Sequence, residues 1–292
     1  MEDRVKVQRD TIQIFHNKWY INQKEELINI NENDIINSIK KTTKYYKNDL
    51  VKLYENSGLL TYITTNIFLV QDDCLEIGLL LKDLGYNPVV LNMANAFNPG
   101  GGYKTGESAQ EESLFRRTNL HLCLDSQRNK LYPIPTRGCL YSPDVIVVKH
   151  SEFENYRLLE IPKKMSFISS AAHRCNVNDT IKVDDTKILK EELNILTKAK
   201  IESIFELAAI KHHDVIILNA YGCGAFGNPP ACIAKLFKDA IQKYKRHFRH
   251  ILFAIFDDKN ALSNNKNGNV KIFSDILELP IMTYIDLVNN IV

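Results

Sequence analysis

The sequence predicts an α/β protein in which helices cover both faces of a central sheet. After about residue 60, short apolar runs typical of buried strands alternate with longer segments that repeat apolar residues at helical spacing. The chain has 292 residues, of which 45% are hydrophobic, so it is long enough to bury a substantial core. Lys and Arg total 37 against 35 Asp and Glu, so the overall charge does not favour a polyanionic partner.

The first 60 residues have a different pattern from the rest. Thr11 to Tyr20 has the spacing of an amphipathic helix, with Ile12, Phe15 and Trp19 expected to face inward. A second helix is suggested by Ile35, Ile36 and Ile39. We therefore predict a helical extension over residues 1–60, packed on a larger domain of residues 61–292.

The predicted elements of the larger domain alternate in the order typical of βαβ units. The predicted strands are Ile63 to Val70, Val89 to Leu91, Val145 to Val148, Met165 to Ser169, Val215 to Leu218 and Ile251 to Phe256. The predicted helices include Cys74 to Leu84, Lys187 to Lys211 and Ile233 to Tyr244.

Three consecutive glycines, Gly100 to Gly102, follow the predicted strand at Val89 to Leu91. Glycine has no Cβ atom, so this turn can adopt positive φ angles and bring backbone N–H groups close to a ligand. Phosphate binds readily in a concave backbone turn of this kind. The run is not a Walker loop, because Asn98 and Tyr103 stand where that motif needs glycines. The turn therefore predicts an anion site.

Gln110, Glu111 and Glu112 begin a predicted helix shortly after these glycines. Ser108 and Glu111 have the spacing of a capping box, and a helix N-terminus favours negative charge. From the local sequence alone, Glu111 is explained at least as well by capping as by catalysis. Glu112 has no such structural explanation, and consecutive helical residues point about 100° apart. We expect the two carboxylates to have different tasks.

A second glycine loop, Gly222 to Gly227, follows the predicted strand Val215 to Leu218. Its G-x-G-x-x-G spacing is also that of a dinucleotide-binding turn, so an NAD-dependent oxidoreductase is an alternative. Against it, Asn228 is predicted to cap the next helix and Pro229 to begin it, which leaves all three glycines before the helix. Two phosphate-binding loops at the ends of neighbouring strands suit a diphosphate.

Other classes of site have little support in the sequence. No apolar stretch approaches the ~18 residues that span a bilayer, and the N-terminus lacks the hydrophobic run of a secretory signal. The six cysteines contain no Cys-x-x-Cys pair, which argues for reduced thiols and against zinc. We expect an intracellular protein, cytoplasmic or nuclear, with no metal and no cofactor.

Several motifs together resemble the signature of microbial-type poly(ADP-ribose) glycohydrolases, a branch of the macrodomain superfamily. These motifs are Val90 to Gly102, Ala109 to Leu114, Tyr132 to Pro135, Tyr141 to Val145 and Gly222 to Pro230. The resemblance implies a three-layer α/β/α macrodomain with a mixed central sheet. It also implies that residues 61–292 are a catalytic domain that hydrolyses ribose–ribose O-glycosidic bonds of poly(ADP-ribose) and releases ADP-ribose.

The resemblance also implies roles for individual residues. Glu112 would be the general acid and base, and Glu111 would bind the hydroxyls of the distal ribose. The two glycine loops would hold the diphosphate from opposite sides, and Phe226 would pack against the distal ribose. The expected substrate-binding residues are Asn95, Asn98, Gly100, Gly101, Gly102, Gln110, Gly222, Gly224, Ala225, Phe226 and Gly227.

The expected partners are poly(ADP-ribose) and ADP-ribosylated proteins, with ADP-ribose as the product. We expect no membrane partner, and nucleic acid only as an ADP-ribosylated substrate. Two alternatives share the predicted fold: a reader that binds ADP-ribose without hydrolysing it, and a mono-ADP-ribosyl hydrolase. A reader would keep both glycine loops but would have no need of an intact Gln110-Glu111-Glu112 segment.

Overall fold

An eight-stranded sheet organises the chain. The computed structural model describes residues 2–183, 186–257, 259–264 and 267–291. The described strands are β1 (Trp19–Ile21), β2 (Leu27–Asn29), β3 (Thr43–Tyr46), β4 (Asn66–Val70), β5 (Pro88–Met93), β6 (Gly138–Lys149), β7 (Leu158–Ser170), β8 (Thr180–Val183), β9 (Thr186–Leu189), β10 (Val215–Leu218), β11 (His250–Ala254) and β12 (Ile281–Met282). The described helices are α1 (Glu2–Asn17), α2 (Glu32–Lys41), α3 (Lys47–Asn56), α4 (Cys74–Asp83), α5 (Gln110–Arg117), α6 (Arg128–Leu131), α7 (Glu191–Ile210), α8 (Pro230–Tyr244), α9 (Lys259–Asn264), α10 (Gly268–Leu277) and α11 (Tyr284–Ile291).

The sheet is mixed, with strand order β12-β4-β11-β10-β5-β7-β6-β3. Neighbours from β12 through β7 are parallel, whereas β6 is antiparallel to both β7 and β3. All residues of β10 and β11 are buried, as expected for parallel strands that helices cover on both faces. The predicted mixed α/β fold is confirmed.

Each face of the sheet has its own hydrophobic core. Successive side chains of a strand point to opposite faces, so Val89 and Leu91 pack with Ile216 on one side. The helices α7, α8 and α10 cover that side. Val90 packs with Ile217 on the other side, under α4 and α5. The two cores make this a three-layer molecule.

The N-terminal segment forms a third, smaller cluster. Side chains of α1, α2 and the β1-β2 hairpin pack on Ile146 and Val148 of β6. The predicted helix over residues 11–20 ends earlier, because Lys18 has φ 66 and the chain then enters β1. Phe15 is buried as predicted, but Ile12 and Trp19, which were also expected to face inward, are 40% and 41% exposed, so that part of the prediction is wrong.

Part of the predicted N-terminal extension contributes to the main sheet. The strand β3 pairs with β6 along four residues, from Thr43 opposite Tyr141 to Tyr46 opposite Gly138. The division of the chain at residue 60 stays a prediction. The predicted helix at Lys187 begins later, at Glu191, because residues 186–189 instead form a hairpin with β8.

Candidate active site

The two glycine loops lie at the same edge of the sheet. They follow β5 and β10, which are parallel neighbours, and β7 lies on the other side of β5 with Ser170 opposite Met93. Carboxyl ends of parallel strands meet at one edge, which is where open α/β sheets bind ligands. The segments that follow these three strands therefore form one candidate site.

The side chain of Gln110 fixes the start of α5 against β5. Its Nε2 donates to the Leu91 carbonyl over 2.7 Å, and its Oε1 accepts from the Met93 N–H over 2.9 Å. Both ends of the amide thus bond to the protein backbone, which holds the first turn of α5 at the site. The substrate contact expected of Gln110 stays a prediction.

The predicted capping box of Ser108 and Glu111 is wrong. The helix α5 begins at Gln110, and the residue before it, Ala109, has no side chain that could cap it. The Glu111 carboxylate instead accepts hydrogen bonds from two N–H groups of the backbone that follows β5.

Glu111 is 3% exposed and bonds to the backbone at Asn95 and at Gly100. Its Oε2 accepts from the Asn95 N–H over 2.8 Å, and its Oε1 accepts from the Gly100 N–H over 3.1 Å. Burial raises the pKa of Glu111 to about 8. The neighbouring Glu112 carboxylate adds to this rise, whereas the two N–H donors oppose it.

Glu112 is 7% exposed and is held differently. Its Oε1 accepts from the Gly102 N–H over 2.9 Å. Its buried Oε2 has no hydrogen-bond partner among the described residues. Buried polar atoms normally have a partner, so this oxygen is free to bond to a water molecule or to a group on a ligand.

The triple-glycine loop packs directly on these carboxylates. A Cβ atom placed on Gly101, whose φ is +53, would lie 2.3 Å from Glu112 Oε1. A Cβ atom on Gly100, whose φ is +74, would lie 2.6 Å from the Phe115 ring. Both positions thus need glycine for conformation and for space. Close packing on the acids is therefore a reason for the glycine run in addition to the predicted phosphate binding.

The second glycine loop is held by the segment that follows β7. The Cys175 N–H donates to the Phe226 carbonyl over 2.8 Å. The Asn228 side chain donates to the carbonyls of His173, over 2.7 Å, and Gly222, over 3.1 Å. These bonds join the loops after β7 and β10 into one wall of the site.

The helix after the second loop begins one residue later than predicted. Its N-cap is Pro229 and α8 starts at Pro230, so Asn228 is not the cap. Asn228 is buried because its amide bridges the two loops. All three glycines of the G-x-G-x-x-G segment still precede the helix, which argues against a Rossmann turn.

The other expected ligand contacts in this loop are accessible. Ala225 and Gly227 are exposed, and Phe226 is partly exposed. A Cβ atom placed on Gly224 would meet no atom within 4 Å, so this side of the loop faces open space.

Asn95 and Asn98 shape the chain between β5 and the triple glycine. Asn95 Oδ1 accepts from the N–H groups of Phe97 and Asn98, over 2.9 and 3.0 Å. Asn98 Oδ1 accepts from Arg128 Nη2 over 3.1 Å. Asn95 therefore has the turn role that its sequence also allows, and its contact with the distal ribose stays a prediction.

An exposed aromatic pair near the site was missed by sequence reasoning. Phe256, expected to end a strand, lies beyond the end of β11 and is 51% exposed. Its ring is 4.9 Å from that of Phe153, which is 64% exposed. The sequence did contain one indication of this pair, because Phe256 is an apolar residue close to the end of a predicted strand.

Tyr132 was quoted as part of a motif but given no role. It is 8% exposed, and its hydroxyl has no hydrogen-bond partner among the described residues. Burial, and then the charge of Glu111, raises the pKa of Tyr132, so the two side chains interact electrostatically. No sequence pattern could have shown that this hydroxyl is unpartnered.

Neither a metal cluster nor a membrane span is found in the described parts of the chain. No group of three or more His, Cys, Asp or Glu residues there could hold a metal ion. No described helix combines the length and apolar character needed to cross a bilayer.

Comparisons with known proteins agree with this geometry. Residues 8–150 match the family profile described as microbial-type PARG, catalytic domain. PARG stands for poly(ADP-ribose) glycohydrolase. Residues 8–150 belong to this family. The match confirms the predicted family resemblance, and it begins inside the segment that was predicted to be an extension. No match was found among curated proteins.

The fold is that of solved PARG structures. The chain is similar to the poly(ADP-ribose) glycohydrolase of Thermomonospora curvata, with 23% identity over 94% of this chain and 100% of that one, at a TM-score of 0.80. The same enzyme bound to the inhibitor ADP-HPD gives 24% identity, 94% and 99% coverage and a TM-score of 0.77. The Deinococcus radiodurans PARG in complex with ADP-ribose has 21% identity over 84% of this chain and 97% of that one, at a TM-score of 0.70.

Proposed function

We propose that this chain is a poly(ADP-ribose) glycohydrolase that hydrolyses the ribose–ribose O-glycosidic bond and releases ADP-ribose. The PARG family match of residues 8–150 supports this activity. The observation that carries the proposal is the state of Glu112, a buried carboxylate with Oε1 fixed by the Gly102 N–H and Oε2 unpartnered among the described residues. A reader would have no use for such a group.

The diphosphate of the terminal ADP-ribose unit would lie between the two glycine loops. Both loops are at the carboxyl edge of adjacent parallel strands, and Gly224 borders open space there. The structural relatives from Thermomonospora curvata and Deinococcus radiodurans were solved with ADP-HPD and ADP-ribose, respectively. Phe226 would then pack against the distal ribose.

The adenine of the same unit would bind near Phe256 and Phe153. Phe256 follows β11, the strand beside β10, so it lies at the same edge of the sheet as the second glycine loop. The rings of the two residues are exposed and close to each other. Aromatic side chains bind bases by stacking, without need of a specific base edge.

Glu112 would act as general acid and then as general base. Its Oε2 donates a proton to the leaving ribose oxygen while the bond from that oxygen to the anomeric carbon of the distal ribose breaks. The positive charge that develops on the distal ribose is stabilised by the carboxylate left on Glu112 and by the substrate diphosphate. Water then attacks the anomeric carbon and gives its proton to Glu112, which restores the starting state.

Glu111 would position the distal ribose and the loop. Its two oxygens hold the N–H groups of Asn95 and Gly100, and a carboxylate has lone pairs left for ribose hydroxyls. Its raised pKa favours a second assignment, in which Glu111 is the proton donor. Against it, each Glu111 oxygen is already engaged, whereas Glu112 Oε2 is not.

Incubation of the purified chain with poly(ADP-ribosyl)ated protein tests the proposed function. We expect free ADP-ribose, measured by chromatography, to accumulate with time. Binding of ADP-ribose without product would favour a reader. Release from singly modified protein but not from polymer would favour a mono-ADP-ribosyl hydrolase, and hydride transfer with NAD would revive the oxidoreductase.

A further inference from the structure

A surface cavity adjoins the chain segment between Asn95 and Asn98. Its volume is about 320 Å³, and it is lined by Phe97, Arg128, Asn129, Tyr132 and Pro133. Sites for small molecules typically measure about 300 to 1,000 Å³. The glycine loops and the aromatic pair near β11 take no part in its lining, so it is separate from the place proposed for the terminal ADP-ribose.

The cavity and the carboxylate pair share one structural element. Asn95 donates its N–H to Glu111 and, through Oδ1, accepts from the Phe97 N–H. Asn98, three residues on from Asn95, accepts from Arg128. Tyr132 lies within reach of the Glu111 charge. A ligand that extends beyond the scissile bond can therefore reach the cavity from the reacting centre.

The lining contains three groups that could bind a ligand: an aromatic ring, a guanidinium and a hydroxyl. Phe97 is 67% exposed, and an exposed phenyl ring can stack on a base. Arg128 is exposed, and a guanidinium binds phosphate through paired N–H groups. Asp125, which interacts electrostatically with Arg128, already accepts from Lys104 over 2.8 Å. The Tyr132 hydroxyl is buried without a partner among the described residues.

We propose that this cavity is the subsite for the leaving part of the polymer and binds the adenosine phosphate that follows the scissile bond. The proposal rests on the proposed function. In a ribose–ribose linked polymer of ADP-ribose, the leaving oxygen is a hydroxyl of the next adenosine, so a base and a diphosphate lie just beyond the bond. The base stacks on Phe97, its phosphate pairs with Arg128, and the Tyr132 hydroxyl bonds to the leaving ribose.

The affinity for di(ADP-ribose) relative to ADP-ribose tests this subsite. Calorimetry in a Glu112→Gln background prevents turnover during the titration. We expect the dimer to bind about tenfold more tightly than ADP-ribose, which corresponds to about 1.4 kcal/mol. Phe97→Leu should remove most of this difference and Phe97→Tyr should keep it, because stacking needs an aromatic ring. Arg128→Gln should also reduce it, and most strongly at low salt.

Lys130→Gln is the matched control, since Lys130 is an exposed cation on the same short helix as Arg128. It should leave the ratio of the two affinities unchanged. Equal affinities for dimer and ADP-ribose, or a Phe97→Leu variant that keeps the ratio, would overturn the proposal. An equal loss of affinity for both ligands would also overturn it, because the cavity would then belong to the ADP-ribose site.

The proposed function is tested separately, by release of ADP-ribose from the dimer by the wild-type chain. If no ADP-ribose is released but the dimer is preferred in a Phe97-dependent way, the proposed hydrolase activity is rejected and the proposed binding of the second unit in the cavity is retained. Release with no preference would keep the hydrolase and reject the subsite.

Discussion

The two glycine loops each follow a parallel strand but differ in what occupies the space beside them. Next to Gly101 lies the Glu112 carboxylate, 2.3 Å from where a Cβ atom would be. A Cβ atom placed on Gly222 would lie 2.5 Å from the Cβ of Ala172, whereas a Cβ atom placed on Gly224 would have no atom within 4 Å. The first loop is therefore built around the acids that would do the chemistry. The second is built around a neighbouring loop and leaves one side open for a ligand.

Gly101→Ala should have the largest effect on activity. The methyl group would displace Glu112 Oε1, and φ +53 is strained for alanine. A displacement of about 1 Å can cost about a hundredfold in rate, so we expect kcat to fall by at least about that factor. Gly85→Ala is the control, because Gly85 also has positive φ but no atom within 4 Å of its Cβ. Retention of wild-type kcat by Gly101→Ala would show that the position of Glu112 is not critical.

Gly222→Ala and Gly224→Ala should differ in their effect on stability, because Gly222 packs against the neighbouring loop whereas Gly224 borders open space. Gly222 has φ +72, and its Cβ would lie 2.6 Å from the Asn228 amide, so alanine there should lower the free energy of unfolding by about 1 to 3 kcal/mol. Alanine at Gly224 should change it by about 0.5 kcal/mol or less. Urea unfolding measures both. Equal losses for the two variants would contradict the difference drawn between these positions.

Glu111→Gln should alter how stability depends on pH. Burial raises the pKa of Glu111 to about 8, so the folded chain retains a proton that the unfolded chain loses near its ordinary pKa of about 4.5. This contribution is fully present below about pH 4.5 and is lost as pH rises to about 8. The free energy of unfolding of the wild type should therefore fall more between pH 5 and 8 than that of Glu111→Gln.

The control for this pH effect is Glu55→Gln, at an exposed position. It should keep the wild-type slope. Glu111→Gln should also be less stable at every pH, because its amide NH₂ must face one of the N–H groups of Asn95 and Gly100. Identical slopes for wild type and Glu111→Gln would contradict the assigned protonation.

Much of the fold could be predicted because the central strands are apolar on both faces. Val215–Leu218 was predicted with its observed bounds, and α4 was predicted to within one residue. The ends of elements were harder, since Lys18 and the β8-β9 hairpin depend on backbone conformation and pairing that no periodicity shows. Each glycine loop was predicted to follow a strand, and each does, whereas the pairing of β5 with β10 depends on the sheet topology.

The candidate site was predictable as a set of residues but not as a set of contacts. Glu111 had the spacing of a cap, yet the N–H groups of Asn95 and Gly100 are its partners. The bonds of the Gln110 amide to β5 were not predicted, and its contact with substrate stays a prediction. Such contacts depend on how the loop folds back on α5. The unpartnered atoms of Glu112 and Tyr132 could be found only once every neighbour was placed.

The most direct test of the central claim is a comparison of binding and turnover in the Glu112→Gln variant. The amide can keep its oxygen on the Gly102 N–H and place NH₂ where Oε2 has no partner among the described residues, so the fold should be unaffected. We expect calorimetry to show ADP-ribose affinity within a few-fold of the wild type. Release of ADP-ribose from poly(ADP-ribosyl)ated protein should fall by at least about a hundredfold, in line with the loss of general acid–base catalysis. Turnover close to that of the wild type, with binding intact, would contradict the assignment of Glu112 as the group that transfers the proton.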